Sequence, residues 1–151
     1  MDVDVLAIVG HSPVDGTLLS ANPLPEKLLA AAEKVAPHFR LPKNWINAGP
    51  TSALDLGLPP RLLERAIVHR FGTRLTIHFL SRLDQIHFKL YAAVDQSQGK
   101  HLDDLIALTP TSVEVEQAAR WTRTHDPSEG FLKMLKETLV RVGHADIARR
   151  F

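Results

Sequence analysis

Cysteine is absent from the 151 residues, which excludes disulfides, thiolate zinc sites and cysteine nucleophiles together. A reducing cytoplasm is the expected setting. No apolar run approaches the ~18 residues of a membrane-spanning helix, and the N-terminus lacks the basic, apolar and cleavage-site order of a signal peptide. An excess of either charge is also missing. Lys and Arg number 18 against 17 Asp and Glu, for a net charge of +1, so neither a polybasic nucleic-acid coat nor an acidic tail dominates. Gly-x-Ser-x-Gly, Walker A and Gly-x-Gly-x-x-Gly do not occur, leaving serine-hydrolase, P-loop and Rossmann chemistry unsupported. What remains is an ordinary globular composition, 44% hydrophobic and 23% charged, in a chain long enough for a sizeable core.

The hydrophobic pattern predicts an α+β fold. It has a small mixed sheet of about three strands and a helical C-terminal half. No linker divides it, so residues 1–151 read as one domain, sheet-containing to residue 80 and helical from 81. Asp2 to Val9 begins as an alternation and becomes a continuous apolar run, which predicts a strand buried on both faces and ending at Gly10. Residues 11–24 read as an irregular loop. Glu26 to Ala36 reads as a helix that Pro37 stops. A helical turn follows at Arg61–Glu64, then a hairpin of Arg65–Phe71 and Thr73–Leu80 about Gly72, with Leu75, Ile77 and Phe79 on one face. Ser81-Arg-Leu-Asp84, Thr111-Ser-Val-Glu114 and Asp126-Pro-Ser-Glu129 read as three capping boxes opening helices. Gly143 is a C-terminal stop.

Asp2-Val-Asp4 is the sharpest chemical feature. Residues two apart on a strand share a face, with Cα atoms roughly 7 Å apart. Two carboxylates so placed suit Mg²⁺, which takes one or two carboxylates with water and substrate phosphate. Two solvated acids at a strand edge are the plainer reading. Lys89 lies beside the apolar stripe of its helix, Leu83, Ile86, Leu90 and Ala93, where its ammonium can meet a phosphate. Asp103 or Asp104 can orient that lysine or accept a proton, or simply stand near a helix N-terminus. The eight histidines show no close ligand spacing, and His69 with His78, across the hairpin, is the one pair placed to meet. Arg65, Arg70, Arg74 and Arg82 line the same hairpin as a basic strip, more simply a solvated face than an RNA groove.

In order, these segments form a pattern: Asp2-Val-Asp-Val-Leu-Ala7, the hairpin, Asp84-Gln-Ile-His-Phe-Lys89-Leu-Tyr-Ala-Ala93, then Gly99-Lys-His-Leu-Asp-Asp-Leu-Ile-Ala-Leu108. From Asp2 to about Leu135 the chain resembles the AbiEii-like (MenT-like) bacterial nucleotidyltransferases of the polymerase-β superfamily, the second half being the more specific part. The resemblance implies transfer of a nucleoside monophosphate from an NTP to an acceptor, RNA foremost, with Mg²⁺ and release of pyrophosphate; in the toxin branch of toxin–antitoxin pairs the acceptors include tRNA ends. It implies Asp2 and Asp4 as metal ligands, Lys89 as the phosphate-binding lysine, and Asp103, with Asp104 second, as the acid that follows. His101 stands where the motif has its first acid. The Gly-Gly or Gly-Ser turn that precedes the acidic strand in the family does not precede it here. The strand Leu75–Leu80 offers Thr76 and His78 where the superfamily often supplies a third carboxylate. The expectation is therefore a truncated or degenerate member, active or acting only as a binding module. Its sheet would be covered by a second copy or another protein.

Overall fold

A computed structural model describes residues 2–10, 17–96 and 99–151. The fold class is α+β. Three β-ladders of two strands each accompany a helical C-terminal half, and the chain divides into two compact units, residues 1–58 and 59–151. The hairpin therefore belongs with the helices and not with the first strands.

In residues 1–58 the run from Asp2 to Val9 is two strands with different partners. β1 (Val3–Asp4) pairs in parallel with β4 (Ile46–Asn47), with Val3 N donating to Trp45 O and Val5 N to Asn47 O. β2 (Ala7–Val9) pairs antiparallel with β3 (Leu18–Ser20), inside the segment expected to be an irregular loop. Nor is the run buried on both faces: Asp2, Val3 and Asp4 are exposed and Val5 to Val9 are half-buried. Val5 and Leu6 separate the two short ladders, whose partners lie far apart in sequence, and the apolar continuity conceals that division. The part of the expected loop at residues 11–16 lies outside the described residues.

α1 (Glu26–Phe39) continues through Pro37. The proline removes a hydrogen bond to the carbonyl of Glu33, but Glu33 is exposed, where loss of that donor costs less than it would in a buried turn. Arg40, at φ 53°, then closes the helix, and Leu41 N caps Ala36 O at 2.9 Å. The Trp45 indole donates to Ala32 O at 3.3 Å. A 3₁₀ segment (Gly49–Ser52) and α2 (Ala53–Leu56) follow.

Residues 59–151 hold the main core. α3 (Leu62–Arg65) leads into the hairpin β5 (Ile67–Phe71) and β6 (Leu75–Phe79). The loop is Gly72-Thr73-Arg74, and Gly72 at φ 63° takes the left-handed conformation that glycine adopts without strain. Ile67 pairs with Phe79, Val68 with His78, His69 with Ile77 and Phe71 with Leu75. His69 and His78 thus stand on opposite faces of the ladder and do not meet, contrary to the sequence expectation. A three-residue loop sets this register, and a one-residue change in it would have brought them level.

α4 (Arg82–Asp95), α5 (Lys100–Ala107), α6 (Ser112–Arg123), α7 (Glu129–Arg141) and α8 (Ala145–Ala148) complete the unit. Ile86, Leu90 and Val94 of α4 meet Leu105, Val115, Ala118, Phe131, Leu135, Leu139 and Ile147 in one apolar cluster. The Ser81 hydroxyl accepts from Asp84 N, and Thr111 with Glu114 forms a complete capping box. The third cap falls two residues later than expected. Ser128 caps α7 by accepting from Phe131 N, while Asp126 Oδ1 accepts from Ser128 N at 2.7 Å. After α7, His144 N reaches Leu139 O and Gly143 N reaches Val140 O, with Gly143 at φ 93°, the two bonds of a Schellman ending. Among the described residues no helix is long and apolar enough to cross a membrane.

Candidate functional site

Each sequence-predicted residue has a definite place. Asp2 and Asp4 belong to residues 1–58, Asp2 just before β1 and Asp4 its last residue. Asp4 is exposed, and its Oδ1 accepts from Asn47 Nδ2 at 2.9 Å across the β1–β4 ladder. The Asn47 amide oxygen in turn accepts from Gly49 N at 2.8 Å, so a side chain on β4 holds the Asp4 carboxylate in one orientation. Asn47 carries no motif, and only the parallel pairing reveals it. Among the described residues no group of three or more His, Cys, Asp or Glu side chains gathers as a metal site. Asp4 is committed in part to Asn47 and Asp2 is engaged as well. The two would supply at most two carboxylates to a hard cation, so Mg²⁺ there would need phosphate and water to complete it, and an all-protein cage does not fit.

Lys89 lies on α4 within residues 59–151. The Ser81 cap and the Ile86–Leu90–Ala93 stripe fix the rotation of that helix and leave Lys89 at the edge of its buried face, half-buried. Lys89 Nζ donates to Asp104 Oδ2 of α5 at 2.6 Å. The partner is thus Asp104, the second choice from the sequence. Asp103 is exposed and lies in the first turn of α5, where a carboxylate faces the positive end of the helix. The physical reason is periodicity: Leu102 and Leu105 bury the inner face of α5, and Asp104 flanks that face.

The pair can hold an ammonium in place for an anion and exchange one carboxylate partner for a phosphate oxygen. At 27% and 36% side-chain exposure, both groups remain reachable from solvent. Arg65 and Arg82, read from the sequence as part of the basic strip, are engaged elsewhere. Arg65 Nε donates to Asp84 Oδ2 at 3.3 Å, its Nη2 bonds Oδ1 of the same carboxylate, and its Nη1 bonds Pro60 O at 2.7 Å. Arg82 joins Glu114 and the carbonyls of Leu108 and Thr109, tying the start of α4 to the α5–α6 connection.

His87 is buried, with Nδ1 donating to Leu83 O at 2.7 Å and its ring edge-on to Trp121 at 5.6 Å. Burial holds its pKa below the usual 6.5, outweighing the Leu83 carbonyl and the Asp84 charge, which act the other way; Arg65 adds to the lowering. The unfolded chain therefore binds the proton more readily, and folding stability is full above about pH 6.5 and falls as pH drops through that value. Urea midpoints at pH 7.5 and 5.5 are expected to differ less in His87→Gln than in the parent. An equal difference in both would contradict the assignment. Glu114, lowered chiefly by the Thr111 backbone bond, and Asp126, lowered chiefly by the Ser128 backbone bond, act in a separate window. They stabilise above their ordinary carboxylate values, and that contribution is lost only in stronger acid.

No protein-family model, no curated protein and no solved structure matches the chain.

Proposed function

We propose that this chain is a nucleotidyltransferase-type protein, binding an NTP with Mg²⁺ and passing its nucleoside monophosphate to an acceptor, RNA in the first instance. The observation that carries the reading is the Lys89–Asp104 pair. A half-buried lysine on α4 is held at 2.6 Å by an acid of α5, in the two segments that carry the more specific part of the resemblance. Lys89 binds phosphate oxygens as a point charge, and Asp104 fixes its ammonium. Asp2 and Asp4 are the metal ligands of residues 1–58, with Asn47 orienting Asp4. When bound, Mg²⁺ neutralises phosphate charge and orients the reacting oxygens. Pyrophosphate is the leaving group, and an acceptor hydroxyl, losing its proton, forms the new phosphodiester.

Calorimetric titration with each NTP, with and without Mg²⁺, tests the proposal. Binding is expected to require Mg²⁺. Lys89→Ala is expected to weaken it about 10–100-fold, the loss of a hydrogen bond to a charged group. Asp4→Ala is expected to lose the Mg²⁺-dependent binding. Unchanged affinity in Lys89→Ala would defeat the reading.

A second reading is favoured by one observation. β6 presents Thr76 and His78 on the face away from Leu75, Ile77 and Phe79, and no carboxylate stands where the superfamily often has its third. On that reading the chain is a non-catalytic binding or regulatory module. On either reading the exposed apolar residues of residues 1–58, Val3 at 44% and Leu19 at 51%, are the surface that a second copy or another protein would cover.

A further inference from the structure

β5 is an open sheet edge. All five of its residues, Ile67–Phe71, are exposed, whereas β6 half-buries Ile77 and His78. Among the described residues no backbone hydrogen bond reaches Ile67–Phe71 besides those of the β6 ladder. The register puts Ile67, His69 and Phe71 on one face with Leu75, Ile77 and Phe79, and Val68 and Arg70 on the other with Thr76 and His78. Ile67 is 58% exposed, Phe71 53% and Phe79 46%, too open to have a helix packed over them. A hairpin of two strands is marginal in water, and a third strand or a cover over its apolar face is what stabilises it. Arg70 is exposed and has no ion pair among the described residues. Between Arg65 and Arg82 the sequence holds no acidic residue, so the hairpin has no anion of its own to meet that charge.

We propose that β5 accepts a third strand: an extended segment of another protein, apolar where it lies beside Ile67, His69 and Phe71 and acidic where it lies beside Arg70. An edge strand offers its free N–H and C=O groups to any extended chain, and the side chains on its two faces decide which chain fits. Residues directly opposite on one face stand about 4.5–5.5 Å apart at Cβ, so an acid carried on Arg70's own face comes within ion-pair reach. A second copy of the hairpin fits badly. Pairing β5 edge to edge in one continuous sheet puts both Arg70 guanidinia on the same face, with no acid of either hairpin between them. Stacking the two apolar faces leaves Arg70 pointing away. It also buries little: five residues by two strands span about 17 Å by 10 Å, or about 170 Å², against about 800 Å² per partner in a stable interface. Arg70 thus turns away its own copy and admits an acidic strand. The inference does not rest on the transfer reading, and no metal, nucleotide or residue assigned to transfer enters it.

Fluorescence anisotropy on the full chain tests it, with neither Mg²⁺ nor NTP present, so that failure of the transfer reading leaves the result intact. The probe is a fluorescein-labelled peptide of about seven residues, alternating valine and threonine with glutamate in place of the central threonine. Its control carries lysine there instead. The glutamate peptide is expected to bind about two- to tenfold tighter than the lysine peptide, the difference between a favourable and an unfavourable cross-strand charge pair. Arg70→Gln should erase that preference and Arg70→Glu should reverse it. Both variants leave the rings in place, and circular dichroism checks that each folds. Hydrogen exchange at the amides of Ile67–Phe71 should slow when the glutamate peptide binds, because strand addition covers that edge. No binding of the glutamate peptide, equal binding of both peptides to the parent, an unchanged preference in Arg70→Glu, or binding that leaves the β5 amides exchanging freely would overturn the proposal. So would a dimer, seen by light scattering without peptide, in which those amides are already protected: the edge would then belong to a second copy.

Discussion

Arg65→Ala is expected to destabilise the protein by about 3–5 kcal/mol, among the largest effects available to a single polar substitution. The reason lies in what remains. Asp84 is fully buried, and its carboxylate accepts from the Arg65 guanidinium and the Ser81 hydroxyl. Removing Arg65 leaves a carboxylate inside the protein with its counter-ion gone, and desolvation of that charge is no longer offset. The reverse deletion is milder. Without Asp84, Arg65 keeps 29% side-chain exposure and its bond to Pro60 O, so water can solvate part of the guanidinium. Urea denaturation of Arg65→Ala, Asp84→Ala and the double variant measures the difference. The double variant should be less destabilised than the sum of the singles, and less than Arg65→Ala alone. Strict additivity would mean that the pair contributes no coupling and that Asp84 finds its stabilisation elsewhere.

Leu90→Ala is expected to cost about 2–5 kcal/mol. Leu90 is 1% exposed and sits in the cluster shared by α4, α5, α6 and α7. A cavity there is lined from several sides by rigid helices, which limits collapse and places the cost towards the upper part of the range. Leu90→Met, which keeps the volume, should cost less than about 1.5 kcal/mol. Val140→Ala, at a residue 54% exposed on α7, should stay within about 0.5 kcal/mol. Since a domain of this size is stable by only about 5–15 kcal/mol, Leu90→Ala alone would bring the helical unit near its unfolding limit at 37 °C.

The second half of the chain was legible because its signals are local. A cap is decided by a side chain and an N–H three residues away, so Ser81 and Thr111 could be read directly. The Asp126 box failed by the same chemistry. Ser128 is an equally competent cap, and once Pro127 precedes it, Asp126 is better placed to accept from Ser128 N than to start the helix. The first half depends on partners distant in sequence. Nothing within Asp2–Val9 says that Val3 pairs with Ile46 while Ile8 pairs with Leu19. Asn47, which orients Asp4, was invisible for the same reason.

At the candidate site, Lys89 was legible from its place beside an apolar stripe. The choice between Asp103 and Asp104 was not, because neighbouring helical residues differ by about 100° in direction and only the packing of Leu102 and Leu105 fixes which one faces α4. Arg65 shows the opposite case. Its charge read as part of a surface strip, yet its partner Asp84 had already been read as a capping residue. In the structure the Ser81 hydroxyl accepts from the α4 backbone while the Asp84 carboxylate pairs with Arg65 and Ser81, so the capping signature does not reveal the ion pair.

One measurement tests the central claim most directly: heat released on titrating the full chain with an NTP in Mg²⁺, compared with the same titration in EDTA and with Lys89→Ala in Mg²⁺. Nucleotidyl-transfer chemistry predicts saturable binding in Mg²⁺, little or none in EDTA, and a 10–100-fold loss in the variant. Absence of binding to all four NTPs, or equal binding in all three titrations, would contradict it.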